Sequence, residues 1–170
     1  MYDHSSGAVL ALRAAAAGLP IARLALHEPP FSPDEEEWRR RSREYGENLR
    51  TILAEDRRGD AVELFMTMAG TPQEMVEQMR KELWWAGIEA HAPTLAYDSE
   101  VMGDVGRGCT IPADVAGAAT TPTLVLSGGA SPEWMIDVGR QLAVALPDGQ
   151  HDVLEDQEHV VPPGGTRAGA

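Results

Sequence analysis

The first residues in the chain that can do chemistry are Asp3 to Gly7, DHSSG, which stand directly before a run of strong helix formers. A serine two residues ahead of a glycine, at a tight passage from strand to helix, has the spacing of a G-x-S-x-G nucleophile elbow centred on Ser5. Small neighbours let such a hydroxyl project from a strained backbone. The helix that follows supplies positive potential and unpaired N–H groups where an oxyanion develops. Asp3 departs from the pattern, because it takes the place of the first glycine. S-x-G is also a common triplet, and a serine there equally serves as a plain helix cap. His27, His91 and His151 lie too far apart to suggest a metal site, and none is expected. Cys109 is the single cysteine and cannot make an internal disulfide, which fits a reducing cytoplasm.

These side chains need elements to hold them. Residues 5–17 predict a short buried helix, stopped by Gly18 and Pro20, and Ile21 to Leu26 predict a buried strand ended by Pro29 and Pro30. From Pro33 to about Gly59 the chain is dense in charge and spaces Trp38, Tyr45, Leu49, Ile52 and Leu53 as one amphipathic helix does. Two more helices fit 60–69 and 72–83, the latter with Thr71 as N-cap, and a fourth is broken near Pro93. Met66, Met68, Met75 and Met79, with Trp84 and Trp85, suit packing between these helices; the lining of an apolar pocket is the other use of such residues. Residues 103–117 read as a loop. Thr123 to Leu126 form a second buried strand, Ser131 and Pro132 open a helix with Met135, Val138, Leu142 and Leu146 on one face, and QHDVLED is the last strand. Residues 160–170 read as a disordered tail. The order is that of an α/β protein with a parallel sheet.

The succession of elbow, Ala-rich helix, GLP, strand ending in HEPPF, helical insert, PTLVLSGG, Ser-Pro helix and late histidine resembles the capped α/β-hydrolases. It does so across nearly the whole chain, from the nucleophile elbow onward. The resemblance implies a partial α/β-hydrolase core, a parallel sheet interrupted by a helical cap, with core segments at 1–32 and 107–170 and the cap at 33–106. It implies Ser5 as nucleophile, the Ser6 N–H as oxyanion donor, and His159, in EDQEHVVPP, as the general base on the loop after the last strand. The acid of that family usually follows the strand equivalent to PTLVLSGG, in a pattern like G-x-x-D-P, and Ser131 stands at its place. Serine holds no permanent charge to orient an imidazole. Glu28, at the end of its strand before Pro29 and Pro30, is the favoured substitute, ahead of Asp98 in the insert; Asp137 lies inside a helix. His4 is expected to shape the elbow rather than to act as base.

The activity implied is that of a serine hydrolase acting on an ester, amide or related small acyl substrate, without a cofactor. A non-catalytic remnant or binding module on the same fold is the competing reading, since the elbow is altered and the usual acid is replaced. Cofactor-free peroxide chemistry would use the same triad. The resemblance starts almost at the nucleophile, so four strands, most of the elbow strand and one oxyanion donor have no counterpart in the 170 residues. An open sheet edge is expected there, with one face bare and the inward sides of Leu24, Leu26, Leu124 and Leu126 uncovered. A homo-oligomer covering that edge would close it. The formal net charge of -13 argues against nucleic acid as a partner. No apolar run approaches the ~20 residues that span a bilayer, and no basic segment precedes the apolar N-terminal stretch, so neither membrane nor export signal is read.

Overall fold

Leu24–His27 and Thr123–Gly128 are short, mostly apolar runs bounded by turn residues, and both are strands in the computed structural model, which describes residues 1–103 and 108–159. The expected disordered tail, 160–170, lies outside the described residues, as does part of the expected loop at 103–117. Strands β1 (Tyr2–His4), β2 (Leu24–His27), β3 (Thr123–Gly128) and β4 (Gly149–Leu154) make one parallel sheet in the order β1-β2-β3-β4. The described helices are α1 (Ser6–Ala16), α2 (Glu36–Ala54), α3 (Arg58–Met68), α4 (Gln73–Met79), α5 (Trp85–Glu89), α6 (Leu95–Met102), α7 (Ala113–Ala118) and α8 (Glu133–Ala145). They divide between two compact units. Met1–Asp34 and the chain from Cys109 form the first, and Glu35–Gly108 the second.

In the first unit α1 joins β1 to β2 and α8 joins β3 to β4, as parallel neighbours require. The register sets Leu24 beside Thr123 and Leu26 beside Val125, so these four share a face. α1 and α8 pack on the strands and α7 touches both helices. Gly139 of α8 sits against the Ser127 hydroxyl and the His151 ring, and Gly7 of α1 against Asp3, which puts both helices on that face. Leu24, Leu26 and Val125 are buried there with Val9 and Leu12 of α1 and Val138 and Leu142 of α8. Each such side chain contributes about 1.5–3 kcal/mol.

The four leucines expected to be uncovered therefore divide. Leu24 and Leu26 are covered, while Leu124 and Leu126 alternate to the opposite face with Tyr2 and Ala25 and are half-buried. The end of an elbow strand is present as β1, where Tyr2–His4 pairs in register with Ala25–His27. Two boundaries differ from the sequence reading. β2 begins at Leu24 rather than Ile21, because the ladder starts where Leu24 N–H donates to Pro122 O and Ala25 N–H to Met1 O. The expected loop contains α7, whose six residues are too few to show a period, with Ala116 buried.

The second unit is built on Leu49, Ala61, Val62, Val76, Trp85 and Ala92. The helices expected at 33–59 and 60–69 are α2 and α3, with the break earlier than expected: α2 ends near Ala54, Asp56 turns through a φ of 54°, and α3 begins at Arg58. Gly59 therefore lies inside α3. A Cβ on it would strike the Glu89 carboxylate and crowd Arg80, which itself pairs with Asp60 at 2.9 Å and with Glu63. The methionine stripe also splits, with Met66 and Met79 against the core and Met68 and Met75 exposed.

Candidate active site

Register builds the site. His4 pairs with His27, and the ladder continues one step further as Ser5 N–H donates to His27 O at 3.0 Å and Glu28 N–H to Leu126 O at 2.9 Å. Ser5, Glu28 and Gly128 therefore stand at the carboxyl ends of three adjacent strands, where open α/β sheets bind ligands.

Ser5 turns the chain from β1 into α1 with φ 56° and ψ -132°. A residue with a Cβ rarely adopts this conformation, which costs about 1–3 kcal/mol unless its surroundings impose it. Two bonds impose it: Ser5 N–H to His27 O, and Ala8 N–H to Ser5 O at 2.9 Å. Ser5 occupies the N-cap position yet its side chain makes no capping bond. Its hydroxyl lies 3.2 Å from His159 Nε2 instead. Ser6 opens α1, where first-turn N–H groups have no intrahelical acceptor. Asp3 fits without crowding, since it is extended in β1 and its carboxylate lies by Gly7 in the first turn of α1. An acid is favourable at that helix end.

Glu28 is the buried partner of this pair. It is 3% exposed, with a φ of 45° directly before Pro29. Its Oε1 accepts the Gly128 N–H at 2.7 Å and its Oε2 accepts His159 Nδ1–H at 2.7 Å. A carboxylate only accepts, so Nδ1 carries the proton and Nε2 is left to accept from the Ser5 hydroxyl. Burial pushes the Glu28 carboxyl up, but the bonds from His159 and the Gly128 N–H outweigh it and lower the pKa to about 2. The Ser131 hydroxyl, buried beside the carboxylate, helps to lower it from a position short of full hydrogen-bond geometry.

The loop carrying His159 is stitched to the end of β3. Gly129 N–H donates to Leu154 O at 2.8 Å and Ala130 N–H to Gln157 O at 2.9 Å. Gly128 allows this, because a Cβ on it would press on the Gln157 carbonyl and lie 2.9 Å from the Ser131 hydroxyl. Gly128→Ala is expected to destabilise the chain by about 1–3 kcal/mol and to displace His159. Thermal melting and comparison of histidine resonances check this, and an unchanged melt with an unchanged His159 signal would refute it.

The structure brings Ser5, His159 and Glu28 into one hydrogen-bonded line, and among the described residues Asp98, Asp137, His91 and His151 make no bond to that line. Asp98 lies on α6 in the second unit. Asp137 pairs with Arg140 on α8, His91 bonds the Gly87 carbonyl, and His151 bonds Ser127 at 3.0 Å. Among the described residues no group of three or more His, Cys, Asp or Glu is placed to hold a metal ion, and no helix is long and apolar enough to cross a membrane.

An α/β-hydrolase from Sphaerobacter thermophilus, known from its crystal structure, is 43% identical to this chain over 96% of it, with a TM-score of 0.73. The chain belongs to the α/β-hydrolase family. It spans 62% of the length of that relative. Two more distant solved structures share the fold. One is an α/β-hydrolase enzyme from a Medee basin deep-sea metagenome library, at 16% identity and a TM-score of 0.55, over 93% of this chain and 57% of that one. The other is MenH from S. aureus, at 20% identity and a TM-score of 0.51, over 93% of this chain and 59% of that one. No protein-family model and no curated protein matches the sequence.

Sequence reasoning about this α/β-hydrolase missed a histidine pair behind the line. His4 Nε2 lies 2.7 Å from the backbone carbonyl of His159, and its ring centroid is 4.5 Å from that of His159 and 5.0 Å from that of His27. His27 is buried, with Nδ1 2.9 Å from the Tyr2 hydroxyl and Nε2 without a hydrogen-bond partner. Burial lowers the pKa of both His4 and His27, and each is lowered further by histidine neighbours, chiefly His159 for His4 and His4 for His27. A signal was present: both histidines stand one residue before a member of the line, Ser5 or Glu28.

Proposed function

We propose that this α/β-hydrolase chain acts as a serine hydrolase on an ester, amide or related small acyl substrate. The observation that carries the proposal is the continuous line from Glu28 through His159 to Ser5, with 2.7 Å and 3.2 Å links and the serine held at positive φ. Ser5 Oγ attacks the acyl carbon while its proton passes to His159 Nε2. The carbonyl electron pair moves to oxygen, and the Ser6 N–H at the head of α1 receives the charge. As the tetrahedral species collapses, His159 returns the proton to the leaving group; water then repeats the sequence on the acyl-serine. Glu28, with its pKa near 2, remains a carboxylate throughout and stabilises the imidazolium form of His159.

A fluorophosphonate probe tests this without knowledge of the substrate, because it phosphonylates an activated serine and stops. Intact-mass measurement should give one adduct per chain, and peptide mapping should place it on Ser5. A chain left unmodified, or modified at another serine, would overturn the proposal and favour a non-catalytic role for the fold.

A further inference from the structure

His4 belongs to none of the steps above, yet it meets His159 at 2.7 Å, as close as Glu28 and closer than Ser5. A carbonyl oxygen only accepts, so the 2.7 Å contact with His159 O requires that His4 Nε2 carry a proton. That contact holds the backbone of His159, while Glu28 holds Nδ1 and Ser5 meets Nε2. The three contacts come from three places: the last residue of β1, the residue after β2 and the turn into α1. His4 is itself braced. Its ring also packs on that of His27, which Tyr2 holds through a hydrogen bond, so the ring has little freedom to leave the carbonyl.

The loop after β4 needs such a hold. It leaves the sheet through Glu155 and Asp156, the latter at a φ of 57°, and the described bonds that fix it end at Gln157, two residues before His159. Among the described residues, His159 would otherwise be held by its side-chain bonds alone. We infer that His4 is a positioning residue, a neutral Nε2–H donor that clamps the His159 backbone so that the imidazole stays between Glu28 and Ser5. The inference rests on the hydrolase reading for its consequence in catalysis, though the clamp itself does not require it. The groups facing His4 are His159, His27 and Glu28, and burial lowers its own pKa, which keeps it in the neutral form that the clamp uses. A protonated His4 would place a second cation against His159 just as His159 takes the serine proton.

The test compares His4→Gln, which retains an N–H donor without a ring, with His4→Phe, which retains a ring without a donor. In the parent, nitrogen-15 NMR should show His4 as the Nε2–H tautomer and a protected, far-downfield His159 Nδ1–H. His4→Phe is expected to speed exchange of that proton at least tenfold and to slow fluorophosphonate labelling of Ser5 roughly 100-fold, as a misplacement of about 1 Å does. His4→Gln should keep both within about threefold of the parent. An Nδ1–H tautomer of His4 would overturn the clamp, as would parent-like behaviour of His4→Phe or equal impairment of His4→Gln. If Ser5 fails to label even in the parent, the hydrolase reading falls. The exchange of His159 Nδ1–H in the same variants then decides the clamp by itself.

Discussion

Ser5→Ala should abolish fluorophosphonate labelling and lower ester turnover by on the order of 10⁴ to 10⁶-fold, with no loss of stability. Alanine keeps the Cβ, so the cost of a φ of 56° is the same in both chains, and among the described residues the only bond lost is the 3.2 Å contact with a part-exposed His159. Ser5→Gly carries the argument further. Glycine adopts positive φ without the steric cost, so this variant should be as inactive as Ser5→Ala but more stable than the parent, by about 1 kcal/mol. Opposite signs for activity and stability at one residue would mark strain held for function rather than for folding. Denaturant melts and ester turnover on the three chains measure both effects. Parent-like turnover in Ser5→Ala would remove Ser5 as nucleophile, and a Ser5→Gly chain less stable than Ser5→Ala would remove the strain.

The elbow could be read from the sequence because its requirements are local. A small residue pair, a glycine two positions on and a run of helix formers suffice to place Ser5 at a strand-to-helix turn. β2 and β3 were legible for a similar reason, since prolines and glycines punctuate short apolar runs, and Ser131-Pro132 announced α8 to within two residues. What failed was whatever depends on partners distant in sequence. The break between α2 and α3 was expected near Gly59 but lies at Asp56, and Gly59 sits inside α3 against the side chains of Glu89 and Arg80, thirty and twenty-one residues away. Met66 and Met68 are two apart, which on a helix puts them on different faces, and only Met66 packs inward.

The site divides in the same way. Glu28 was legible as a carboxylate at a strand end, but its depressed pKa depends first on the bond from His159 and then on the Ser131 hydroxyl and the Gly128 N–H, all one hundred or more residues later. His4 was assigned to the elbow from its neighbour in sequence. Its contact with His159 spans 155 positions, and only the register of β1 on β2 and the stitching of the β4 loop to β3 bring the two together. Asp3 was legible only as a departure from the pattern; the strand turns it toward the head of α1, where a negative charge is favourable.

Glu28→Gln is expected to lower turnover by about 10⁴-fold while the chain remains folded at neutral pH. The amide oxygen can still accept the Gly128 N–H, but the NH₂ group then faces His159 Nδ1, and two donors cannot share that contact. The imidazole must shift its proton to Nε2, and so loses the lone pair that takes the proton of Ser5. Stability reports the same carboxylate independently. Its pKa falls from 4.5 to about 2 on folding, so it contributes on the order of 3 kcal/mol above pH 4.5, and that contribution is lost as the pH falls toward 2. Glu28→Gln should therefore flatten the loss of stability between pH 4.5 and 2, measured as the difference between parent and variant melts so that other carboxylates cancel. Ser131 then supplies the decisive control. It is buried beside Glu28, at the place where the family usually carries its acid, so Ser131→Asp alone sets two carboxylates against each other and should cost both stability and turnover. In the Glu28→Gln background the same change restores one carboxylate near His159 and should recover roughly 10 to 100-fold of the lost rate, a part of what a triad acid contributes. A Glu28→Gln chain within tenfold of parent turnover would show that His159 needs no acid. Failure of Ser131→Asp to recover activity in the double variant would show that the carboxylate must approach from β2, with the geometry that Glu28 alone provides.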